Sequence, residues 1–171
     1  KIVNSYDTAH NVHAWAVVNP AFNESQSSKG VETIKTFDKE EVMIPVGCDV
    51  HPWMRSYISV FSHPFFTVSK EDGTFEIKGL PAGSYEIEAY HEKLKTQIGT
   101  VTVKDGEAAK LDHAQSVDLP GARAAGVDER HLLLDQFVRA VAQPRRPLDP
   151  LGDGAFHVVA RNDVAPCLFR P

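Results

Sequence analysis

Between residues 47 and 56 the sequence GCDVHPWMRS places a thiol, an imidazole and a thioether within seven positions, at Cys48, His51 and Met54. All three are soft to borderline donors. Two histidines, one cysteine and a long axial methionine form the ligand set of a blue copper site, so the pattern asks for a second histidine upstream. The segment NSYDTAHNVHAW supplies two, His10 and His13, which precede Cys48 by 38 and 35 positions. They are an odd step apart, and strand side chains alternate between faces, so the two do not readily face one metal together. His10 is the favoured ligand. Zinc is the rival metal, but a structural zinc site draws on four His or Cys ligands and has little use for methionine. Haem attachment needs a C-x-x-C-H run, which is absent. Taken singly, Cys48 reads as an inert buried thiol and Met54 as core filler, so their value lies in their spacing.

Such ligands need a rigid frame. Up to about Asp112 the sequence reads as short β-branched and aromatic strands: EVMIPV, SYISVF, FFTVS, TFEIKGL, SYEIEAYH and TQIGTVTV. Between them KEDGT, LPAGS and KDGE are turn signals, with Gly73 and Gly83 able to take positive φ and Pro81 presetting its own. Recurring short strands without βαβ alternation predict a β-sandwich or barrel, with one histidine on an inner strand and the other three ligands on a loop between strands. After Asp112 the composition changes. All ten lysines lie at or before Lys110, and seven of the eight arginines lie at or after Arg123. DERHLLLDQFVRAVAQ, residues 128–143, fits one amphipathic helix capped near Asp128 and stopped by Pro144, and PRRPLDPLGDG reads as a linker. The rest of 113–171 reads as an irregular extension that wraps on a neighbour or on the β-domain, and the abrupt switch also fits a tail joined from another source or read in a shifted frame.

Composition excludes several classes. A chain of 171 residues with formal net charge -5 offers no phosphate-tracking surface, so no nucleic-acid partner is expected. No apolar run approaches the eighteen or so residues of a membrane span, and no leader pattern is present, so the chain is either cytosolic or already processed. No G-x-S-x-G elbow, Walker loop or H-E-x-x-H occurs, and the adjacent Glu40 and Glu41 read as a solvated pair, so no enzyme is expected. Multicopper catalysis would require further histidine clusters.

HNVH followed by C-x-x-H-P-W-M resembles the cupredoxins, over about residues 2 to 60. The resemblance implies a Greek-key β-sandwich with His10, Cys48, His51 and Met54 binding type 1 copper. It implies that Asn11 ties the ligand loops together and helps hold the thiolate by hydrogen bonding, that Pro52 shortens and stiffens the loop, and that Phe37 matches the phenylalanine before the cysteine strand. Cupredoxins carry several strands ahead of the first histidine, whereas nine residues precede His10, so the early strands are expected to be missing here. FFTVSKEDGTFEIKGLPAGSYEIEAYHEKLKTQIGTVTVKDGE is similar to carboxypeptidase regulatory-like domains, which are transthyretin-type β modules that brace neighbours or bind partners. Phe75, Ile77, Leu80, Tyr85 and Ile87 would fill one of its faces. The expected domains are 1–61 for the cupredoxin-like segment, 62–112 for the β module and 113–171 for the extension. The combination looks like exported bacterial proteins and so implies a periplasmic or other extracytoplasmic setting.

The expected function is transfer of single electrons to and from a redox protein or a membrane electron-transfer complex. His51 would be the entry edge, with Trp53 and Pro52 at the docking rim. An extrinsic structural subunit of a respiratory or photosynthetic complex is the alternative. Copper storage ranks last, because only Met43 and Met54 are present. His63 and His91, with Glu88 and Glu92, form a weaker candidate for a second metal site. Cys167 reads as a free or buried thiol.

Overall fold

Most strands form where β-branched and aromatic residues recur, and every pairing among them is antiparallel. A computed structural model describes residues 1–70, 73–92 and 96–112, together with the backbone of 137–143 and 157–162. These residues fall into two compact units divided between Ser62 and His63. No helix occurs among them.

The first unit contains β1 (Ile2–Val3), β2 (His10–Ala14), β3 (Phe22–Gln26), β4 (Glu32–Thr33), β5 (Glu41–Gly47) and β6 (Arg55–Phe61). It also contains β11 (His157–Asn162), which lies in the tail. Five of these strands build one sheet in the order β11-β6-β5-β2-β3, and β1 pairs with β4. Val12, Ala14, Phe37, Ile44, Val46, Cys48, Met54, Ile58 and Val60 form its buried core. On β5, Glu41 faces Val60 and Ile44 faces Ile58, so three steps on one strand match two on the other. This one-residue bulge is accommodated by Met43 at φ 61° and by Ser59 Oγ, which accepts the Met43 N–H at 3.0 Å.

Register then positions the metal candidates. β2 pairs with β5 only at its far end, His13 opposite Gly47 and Ala14 opposite Val46. Because the strands run antiparallel, the earlier residues of β2 continue past the end of β5 and lie beside the loop that follows it. His10 is on that overhang.

The second unit contains β7 (Phe66–Val68), β8 (Gly83–Tyr90), β9 (Gln97–Val103) and β10 (Phe137–Gln143) in one sheet of order β7-β10-β8-β9. Tyr85, Ile87 and Ala89 are its buried centre, packed by Phe65, Phe75, Ile77, Leu80, Val101, Val103 and Leu111.

Three expectations are corrected here. Residues 137–143 form a strand and not the end of a helix. Phe137, Val138 and Val141 suit a strand, and β10 is inserted between β7 and β8, whose ladders decide the matter over local helical spacing. The remainder of that stretch, 128–136, lies outside the described residues. TFEIKGL alternates half-buried Phe75 and Ile77 with exposed Thr74, Glu76 and Lys78, but it joins no ladder among the described residues. Finally, Gly73 takes the expected positive φ of 79°, whereas in the next turn Gly79 at 74° does so and Gly83 instead opens β8.

Candidate metal centre

The loop between β5 and β6 is closed by two backbone bonds. Cys48 N–H donates to the Met54 carbonyl at 3.1 Å, and Met54 N–H donates to the His51 carbonyl at 2.9 Å. The second bond closes a four-residue turn with Pro52 at its second position, where a fixed φ lowers the entropy lost on folding. Gly47 leaves little room for a side chain at the entry to the loop. A Cβ there would stand 3.1 Å from the Met54 carbonyl oxygen and 3.3 Å from the Trp15 ring.

The burial of β2 alternates, with His10, Val12 and Ala14 inside and Asn11 and His13 turned outward. His10 therefore faces Cys48 and His51, whereas His13 meets the loop only on its outer side, at Asp49. Cys48 Sγ lies 3.8 Å from His10 Nδ1 and 3.6 Å from His51 Nδ1, and the two Nδ1 atoms are 3.0 Å apart. These three ligand atoms all lie within 4.8 Å of one another and can hold a metal ion. Met54, only 6% exposed, shares the core cluster with Cys48, itself 4% exposed. No other group of three or more His, Cys, Asp or Glu with metal-binding spacing occurs among the described residues, and no fourth such residue joins this one.

The donors fit a bound cation. His10 is 7% exposed, and burial first, then the neighbouring His51, lowers its pKa from the ordinary histidine value. That favours the neutral imidazole, the form that ligates. Its Nε2 is buried without a hydrogen-bond partner. Its Nδ1, facing a thiol and a second imidazole, is the nitrogen placed to ligate.

Asn11 ties strand β2 to the loop. Its Oδ1 accepts the Asp49 N–H at 2.8 Å and faces Cys48 Sγ at 3.3 Å. The side chain thus offers the sulfur an acceptor, whereas holding a thiolate would take a donor. Its Nδ2 donates to Asn23 Oδ1 at 2.8 Å and to Asp49 Oδ2 at 2.9 Å. Asp49 also receives Asn23 Nδ2 at 2.7 Å and approaches His13 Nδ1 at 3.1 Å. The hydrogen bond to His13, then that from Asn23, holds the Asp49 carboxyl below its ordinary value, with Asn11 adding to them against a smaller desolvation effect. Sequence reading singled out neither Asp49 nor Asn23. Their contact depends on the register that sets His13 opposite Asn23, which no local pattern signals.

His51 is half-buried, and its ring lies 5.2 Å from that of Trp53, which is 64% exposed. Elsewhere, His63 is buried, stacks with Phe65 at 6.0 Å and accepts the Phe65 N–H through Nδ1 at 3.2 Å. Glu88 accepts a hydrogen bond from the Tyr90 hydroxyl. His63, His91, Glu88 and Glu92 do not assemble a metal-binding group among the described residues. Cys167 lies outside those residues. No described helix is long and apolar enough to cross a membrane.

No family model matches the chain, and no curated protein or solved structure is significantly similar to it.

Proposed function

We propose that the chain is a type 1 copper protein that carries single electrons, with His10, Cys48, His51 and Met54 as the ligands and a cupredoxin-like arrangement of the first unit. The observation that carries this reading is the convergence of His10 Nδ1, Cys48 Sγ and His51 Nδ1 at one buried point, next to a loop that ends in buried Met54. A zinc site of structural type would recruit a fourth His, Cys or carboxylate, and none is part of the group. Bound copper would supply a one-electron couple between Cu(I) and Cu(II).

The residues of the chain would do the rest. His10 is anchored on β2 and Cys48 at the end of β5, so both stay in place as the charge changes. Pro52 and the two backbone bonds of the loop limit the movement of His51 and Met54. Half-buried His51 offers the edge nearest solvent, and Trp53 with exposed Val50 gives that edge an apolar rim for a redox protein or a membrane electron-transfer complex. The second unit, read as a carboxypeptidase regulatory-like module, would brace this carrier or its partner. An extracytoplasmic location agrees with a copper thiolate site.

Voltammetry of protein loaded with one equivalent of copper tests the proposal. A reversible one-electron wave with copper retained in both oxidation states is expected. Copper that leaves on reduction would overturn the carrier reading and favour a structural subunit.

A further inference from the structure

The amide of Asn11 is held in one orientation by residues that never touch the proposed ligands' metal-facing atoms. Its oxygen accepts the Asp49 N–H at 2.8 Å, and its nitrogen donates to Asn23 Oδ1 at 2.8 Å and Asp49 Oδ2 at 2.9 Å. Turning the amide over would set N–H against the Asp49 N–H and oxygen against a carboxylate. Asp49 is in turn fixed by Asn23 Nδ2 at 2.7 Å and by His13 Nδ1 at 3.1 Å. The His13 ring is stacked on Trp15 at 3.9 Å. The network is a closed ring of partners that ends on Cys48 Sγ, 3.3 Å from the Asn11 oxygen.

We propose that Asp49, Asn23 and His13 are positioning residues for Cys48, locking the Asn11 amide with its oxygen towards the sulfur so that the side chain withholds an N–H donor from a metal-bound thiolate. Hydrogen bonds donated to a ligating sulfur draw electron density from it and favour the reduced metal. A lock that withholds one keeps the sulfur a strong donor and the potential low. Freed from the lock, Asn11 can rotate and present Nδ2 to the sulfur, and the potential rises. The effect on potential rests on the copper reading given above; the lock itself does not.

Asn23→Thr and His13→Gln test the lock while leaving the charge of Asp49 in place. Asn23 is exposed on the edge strand β3, where threonine is a good strand former, so the fold is retained. In reduced, metal-free protein, the Asn11 side-chain amide is followed by nitrogen-proton NMR, assigned by its loss in Asn11→Ser. Its hydrogens are expected to exchange faster in Asn23→Thr, which removes the acceptor of one Nδ2 hydrogen, and to a smaller extent in His13→Gln, which acts only through Asp49. Unchanged shifts and exchange in both variants would overturn the proposal whether or not copper binds. In copper-loaded protein, both variants should favour Cu(I) by on the order of tenfold, about 59 mV for one electron. A rise confined to Asp49→Asn would show a charge effect alone and would also overturn it.

Discussion

Glu41 offers a test of how the first unit holds its shape. Its carboxylate accepts the Val17 N–H at 2.6 Å, the Asn19 N–H at 2.8 Å and Asn19 Nδ2 at 2.9 Å. Asn19 is buried and passes the restraint on, its Oδ1 accepting the Asp38 and Lys39 N–H groups at 3.1 Å. Glu41→Gln keeps the size but replaces one acceptor oxygen by a donor, so at least one of the three bonds becomes a donor-donor contact. Loss of one hydrogen bond to a charged group costs about 1.5–3 kcal/mol. Partial burial alone would raise the Glu41 pKa, but the hydrogen bonds from Val17 and Asn19 outweigh it and lower the pKa from the ordinary value. A carboxyl depressed in the folded state contributes stability that is present above the unfolded value of about pH 4.3 and is lost as pH falls through the folded value. The assay is urea unfolding of metal-free protein followed by tryptophan fluorescence, at pH 7 and at steps of falling pH carried well below the ordinary carboxylate range. Both tryptophans, Trp15 and Trp53, lie in the first unit, so the signal reports that unit alone. The expected gap between wild type and variant is about 1.5–3 kcal/mol at pH 7 and closes in acid. An equal gap at every pH would refute the carboxylate clamp.

Further predictions concern the loop and the ligands. Gly47→Ala crowds the Met54 carbonyl and the Trp15 ring and should destabilise the first unit by about 1–3 kcal/mol, read by the same unfolding assay. His10→Phe removes a buried nitrogen without a partner, so the metal-free variant should be no less stable than wild type within about 1 kcal/mol, while copper titration by calorimetry shows binding lost or strongly weakened. Copper at a free concentration of 100 times its Kd should stabilise wild type by about 2.7 kcal/mol and leave the His10→Phe variant unmoved, as judged by copper-dependent shifts in Tm.

Much of the candidate site could be read from the chain because Cys48, His51 and Met54 share one loop, where spacing in sequence is nearly spacing in space. The choice of His10 over His13 followed from strand alternation, and β2 shows that alternation in its burial. What escaped reading depends on long-range pairing. Phe22–Gln26, sequence FNESQ, carries little strand preference and is a strand because it pairs with β2 along its whole length. The Ala- and Val-rich run at 137–143 fits a helical period as well as a strand, and only its two neighbours in the sheet decide it. TFEIKGL has the alternation of a strand but no ladder partner among the described residues. The Asp49, Asn23 and His13 network joins β2, β3 and the loop, so no window of sequence contains it.

The central claim is that the thiolate of Cys48 ligates copper together with His10 and His51. The most direct measurement is the optical and EPR spectrum of copper-loaded, oxidised protein beside a Cys48→Ser control. An intense visible thiolate-to-copper band with narrow hyperfine splitting, both absent from the control, is the predicted result. A colourless protein that takes up no copper, or a spectrum unchanged by Cys48→Ser, would contradict it.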